Sequence, residues 1–162
     1  MKTITQHTVT EVWQQHAELD FFQIEKQIAA FSKEQPLLVS YLTTSNEEFY
    51  NFEEKQLLLY LGVAVWQMFK RSGTAIKKCT SALLLEKQQK NLEMMEYLEG
   101  EIQGDFAGTV RSILDNDNQR FIFRHVFHAL FEEELNPKYI RAQNKGLLFV
   151  DLKTLIDCLD QV

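Results

Sequence analysis

Leu148, Leu152, Leu155 and Leu159 recur at intervals of three and four, the spacing of one helix face, and similar apolar stripes run through most of the chain. The pattern predicts an all-α fold: a single compact domain over residues 1–162, built from about six to eight antiparallel helices. Residues 9–31 read as a first helix, with Val12, Leu19, Phe22 and Ile28 inward and Gln14, Glu18 and Glu25 toward water. Thr8 with Glu11, and Ser45 with Glu48, have the spacing of a capping box, in which a hydroxyl and a carboxylate satisfy the first unpaired backbone amides of a helix. Pro36 suits the first turn of a second helix, residues 36–45, because its missing N–H costs nothing there.

A third helix is expected over residues 47–71, ended by Lys70, Arg71 and Gly73. It carries LLLYLGVAVWQMF, residues 57–69, which is apolar nearly all round and reads as the centre of the fold. At about 13 residues flanked by charge, that run falls short of the roughly 20 needed to span a bilayer, so no membrane partner is expected. Thr74 is expected to cap a fourth helical region running to residue 99. Its polar middle, residues 87–91, is either a solvated stretch or a break. A turn over residues 100–105, a fifth helix over 106–114 and a sixth over 119–135 follow. A turn at Asn136-Pro137 then leads to a last helix over 147–159. Residues 36–42 and 92–98 each end in Tyr-Leu before an aromatic-rich helix, a faint echo compatible with a duplicated helical hairpin.

Composition adjusts this picture little. Twelve Phe, five Tyr and two Trp against six Gly and two Pro supply core volume with few chain breakers. A net charge of −6 disfavours nucleic acid as a partner, and Lys70, Arg71, Lys77 and Lys78 form only a small cluster near a helix end. Cys79 and Cys158 read as reduced core residues, and the opening MKTITQHTVTEVWQQ does not resemble a secretory signal, so a cytoplasmic setting is expected.

Two constellations can carry chemistry. On the sixth helix, His125, His128 and Glu132 fall within one arc of about 60°, opposite Phe123, Val126, Phe127 and Leu130. They can touch a metal, but a fourth ligand is not evident and the His-Glu-x-x-His pattern is absent, so a solvated face with a His128–Glu132 contact is the favoured reading. Glu132, Glu133 and Glu134 sit where the helix dipole disfavours anions; simple solvation at a small cost in stability is the favoured reading, and an offsetting cation, basic neighbour or partner is the alternative. On the third helix, Gln56, Tyr60 and Gln67 form a thin polar stripe that can line a small-ligand groove, although amides bonding to neighbouring backbone are the favoured reading.

No Gly-rich phosphate loop, Gly-x-Ser-x-Gly elbow, Cys-x-x-Cys, EF-hand or Glu-x-x-His pair is present. No cofactor is implied. The expectation is a non-catalytic helical interaction or scaffold protein with an unidentified protein partner and a possible homodimer. A metal-dependent enzyme or sensor at His125, His128 and Glu132 is one alternative, and a small-ligand-binding regulator at Gln56, Tyr60 and Gln67 is the other.

Overall fold

The computed structural model describes residues 1–100 and 106–161. Among them lie eight α-helices and no strand: α1 (Gln6–Ala17), α2 (Phe21–Glu34), α3 (Pro36–Thr44), α4 (Phe52–Arg71), α5 (Ser81–Gly100), α6 (Phe106–Asp115), α7 (Arg120–Phe127) and α8 (Lys145–Leu159). A π-helical turn, His128–Glu132, continues α7, and a short 3₁₀ turn, Ala142–Asn144, leads into α8. The turn expected over residues 100–105 falls almost wholly outside the described residues.

The helices begin where side chains can receive the free backbone amides, and these starts differ from several expected ones. Residues 9–31 are two helices rather than one. Asp20 accepts from the Gln23 backbone N–H while Gln23 Oε1 accepts from the Asp20 N–H, a reciprocal box that restarts the chain after Ala17. Phe22, expected inward, is consequently 74% exposed. Helix α1 starts earlier than Thr8, because Thr5 is the cap and receives the Thr8 N–H. Helix α4 starts at Phe52, where Asn51 and Glu54 form the box. Ser45 instead turns its hydroxyl to Asp151, and Asn46 takes a left-handed φ of 53° that reverses the chain. Thr74 caps nothing: α5 begins at Ser81, with Thr80 Oγ1 accepting from the Leu83 N–H.

Helix α5 runs unbroken through its polar middle. Residues 92–98 therefore belong to a long helix, whereas residues 36–42 form most of the short α3, and the echo between them does not extend to the elements that carry them. The centre of the fold is shared between α4 and α8. Trp66 of α4 is 2% exposed and stacks on Phe31 at 4.9 Å, and residues 148–156 of α8 are buried without interruption. Gly62 lets α3 pack closely on α4, since a Cβ there would lie 2.7 Å from Leu42 Cδ1, while Leu155 Cδ2 of α8 would be in ordinary contact at 3.5 Å.

Burial on all sides forces the polar residues of α8 to find internal partners. Asp151 accepts from Tyr41 (2.8 Å), Tyr50 (2.7 Å), Ser45 (3.0 Å) and Asn46 (3.3 Å). Burial pushes the Asp151 carboxyl up, while these donors pull it down; the balance stays above the ordinary value. Lys153 bonds Asp157 at 2.8 Å and lies over the Phe123 ring, and Asn91 of α5 donates to both Thr154 and Asp157. At the other end, fully buried Glu54 accepts from Arg141 Nη2 (2.7 Å), the Arg141 backbone (3.0 Å) and Asn144 (3.1 Å). Burial works to raise its carboxyl, yet the hydrogen bonds from Arg141, Asn51 and Asn144 hold it down to about 2. Among the described residues, no helix is long and apolar enough to cross a membrane.

Candidate functional site

Helix α1 runs against α4, and α2 lies alongside it. The pairs Phe31–Trp66 and Glu34–Lys70 bring the C-terminal halves of α2 and α4 together, so these two run in the same direction. Their N-terminal halves diverge and leave a groove of about 540 Å³. Its α2 wall is Phe21, Ile24, Glu25 and Ile28, at relative positions 0, 3, 4 and 7, which is one face of two helical turns. Its α4 wall is Gln56, Leu57, Leu59 and Tyr60, and Leu19 with Asp20 closes one end.

The groove is apolar with an acidic edge. Asp20 and Glu25 are its charged lining residues, and no Lys or Arg lines it. Phe21 is 69% exposed on its wall, and Phe22 beside it and Phe52, one turn before Gln56, are similarly exposed. Aromatic rings left in water on adjoining helix starts are the feature of this surface that helix packing does not account for.

A second, smaller cavity of about 120 Å³ lies on the other side of Leu19, between α1, α2 and α4. Its walls are Val12, Gln15, His16, Leu19, Gln27, Gln67 and Arg71. The polar stripe expected on α4 is thus divided. Gln56 is exposed and, with half-buried Tyr60, lines the apolar groove, while half-buried Gln67 lines the polar cavity. One residue at this junction carried no legible signal: His16, expected on no list of candidates, is 2% exposed and bonds the Tyr60 carbonyl through Nε2 at 3.0 Å.

His125, His128 and Glu132 do not form a joint face. His128 Nδ1 meets Glu132 Oε2 at 2.9 Å on the surface, and Glu132 is not simply solvated as expected: Arg111 of α6 pairs with its other oxygen. His125 is not solvated as expected. Trp13 of α1 lies against it edge-on at 4.5 Å, its Nε2 is buried without a hydrogen-bond partner, and burial lowers its pKa to about 4, with the nearby His128 adding to the effect. Periodicity places His125 on the polar side of its own helix but does not reveal that α1 covers that side. Among the described residues, no three His, Cys, Asp or Glu side chains are arranged to hold a metal ion. The small basic cluster is partly neutralised: Lys70 pairs with Glu34 at 2.7 Å and Arg71 with Glu11 at 2.8 Å.

No protein-family model, curated protein or solved structure matches this chain. Its chemistry is therefore read from its own surfaces alone.

Proposed function

We propose that this chain is a non-catalytic helical interaction protein whose α2–α4 groove seats an amphipathic helix of a partner protein, apolar on one face and flanked by Lys or Arg. The exposed Phe21 at the wall of an apolar groove carries the reading. The volume of about 540 Å³ lies within the range of binding clefts, and the two-turn length of the α2 wall matches anchors spaced along a short helix. Asp20 and Glu25, with no cation in the lining and a chain charge of −6, favour a basic partner. A reducing, cytoplasmic setting suits the two free cysteines, Cys79 and Cys158.

The test is fluorescence anisotropy of a labelled amphipathic peptide of Leu and Lys, about 14 residues long so that it can form a helix on binding. Saturable binding is expected, weakened by salt, and lost in Ile24→Glu and Phe21→Ser proteins whose circular dichroism and melting match the parent. Equal binding of a Leu/Glu peptide, or binding unaffected by both substitutions, refutes the proposal. A light-scattering mass that doubles from 19.0 kDa with concentration, and returns to it in the Phe21→Ser protein, assigns the groove to a second copy instead.

A further inference from the structure

Cys79 and Cys158 are the only two cysteines of the sequence, and the fold brings them together. Cys158 stands near the end of α8 and is 0% exposed, while Cys79 lies 6% exposed in the connection between α4 and α5. Gln161 ties the two segments, since its Nε2 donates to the Cys158 carbonyl at 2.8 Å and to the Lys77 carbonyl at 3.4 Å. Gln35 holds the same connection, donating to the Lys77 carbonyl at 3.0 Å and accepting the Cys79 backbone N–H at 2.9 Å. The two thiols lie within hydrogen-bonding reach of each other.

The two sulfurs are not equivalent. Cys79 gives its own hydrogen to the Thr80 carbonyl at 3.4 Å, so the hydrogen shared between the thiols is that of Cys158. Burial and then the neighbouring Cys79 push the Cys158 thiol up; burial also pushes up Cys79, but the contact with Cys158 pulls it back. Cys79 is thus the sulfur that gives up its proton first, and it is the one nearer to solvent. A disulfide requires the sulfurs to close to about 2.05 Å. Residues 75–80 are neither helix nor strand and are held by the side chains of Gln35 and Gln161, so this connection, rather than the buried α8, supplies the movement.

We propose that Cys79 and Cys158 form a reversible oxidation site, at which a hydroperoxide converts the two thiols into a disulfide. The Cys79 thiolate attacks one oxygen of hydrogen peroxide, the O–O bond breaks, and the departing hydroxide leaves as water with the proton that Cys79 released. Cys79 is then a sulfenic acid. The Cys158 sulfur attacks the Cys79 sulfur, the S–O bond breaks, and the hydroxide takes the Cys158 proton to leave as a second water. Two thiols are oxidised and one peroxide is reduced. The new bond closes residues 79–158, which carry α5 to α8, into one covalent loop. Under reducing conditions the pair stays as the two thiols of this structure. Neither cysteine lines the α2–α4 groove, so the site stands or falls independently of partner docking.

The test exposes the folded, full-length protein to hydrogen peroxide, removes the oxidant with catalase, denatures the protein with N-ethylmaleimide present and maps its peptides. Counting alkylated cysteines avoids the oxygen that the four methionines also take up. The expected product is a linked pair of peptides containing Cys79 and Cys158, with neither alkylated, and dithiothreitol should restore both alkylatable thiols. In Cys158→Ala, Cys79 should run on to sulfinic acid, whereas in Cys79→Ala, Cys158 should remain alkylatable. The parent result decides the proposal even where a variant fails to fold. Two alkylatable thiols after a dose that fully oxidises free glutathione would show that burial shuts out the peroxide. A link formed only in urea, or only between two chains, would show that the folded pair does not meet. Each of these results overturns the proposal.

Discussion

Mild acidification, above the range in which the carboxylates protonate, should destabilise this protein through His125. Its imidazole is held neutral under Trp13, with an ordinary pKa of 6.5 in the unfolded chain and about 4 in the folded one. The unfolded state therefore binds the proton first. Stability from this group is complete above 6.5, declines as pH falls toward 4, and levels off below that. One pKa unit corresponds to about 1.4 kcal/mol, and lowering the pH from about 7 to about 5 crosses most of one and a half units of this window, so the loss is about 2 kcal/mol. The assay is urea unfolding at both pH values for the parent and for His125→Leu, which keeps the volume against Trp13 and removes the titration. The parent should lose about 2 kcal/mol more than the variant over this interval. His16, also lowered by burial, acts in the same direction and remains in both proteins, so the difference isolates His125. Equal pH slopes for the two proteins would refute the burial of His125 beneath α1.

Arg141→Leu should destabilise the fold, because it leaves the buried Glu54 carboxylate with only its Asn51, Asn144 and backbone donors, and pairing it with Glu54→Gln should recover part of the loss in the same urea measurement. In the parent, the advantage of the ionised Glu54 is present above its ordinary pKa of 4.5 and is lost as pH falls toward 2, a more acidic window than that of His125. Trp66→Ala should cost roughly 3–5 kcal/mol, since the ring is 2% exposed and stacks on Phe31; an unchanged denaturation midpoint would remove α4 from the core.

The helical architecture was legible because its evidence is local. Pro36 at the start of α3, Lys70 and Arg71 at the end of α4, and the leucine stripe of α8 all act within one or two turns. The helix starts were harder to read because hydroxyls compete with carboxylates and amides for the same role. Thr8 and Ser45 had the right spacing, yet Thr5, Asp20 and Asn51 did the capping, two of them with a Gln or Glu three residues on that was equally visible. The candidate stripe was half legible. Gln56, Tyr60 and Gln67 share a helical face, but what separates them is Leu19, supplied by a break between α1 and α2 that the expected single helix concealed. His125 and His16 could not be read correctly from their own helices, because their burial is imposed by α1 and α4, distant in the chain.

The sharing of the core between α4 and α8 has a consequence for synthesis. Helix α8 comes last in this sequence, so on the ribosome α4 emerges well before the element that covers it. Residues 72–144 must be added in between, a wait of several seconds at about 5–20 residues per second. Throughout that interval the face of α4 around Gly62, which meets Leu155, lacks the buried neighbours that α8 provides. Productive packing of α4 is thus delayed until α8 has been made.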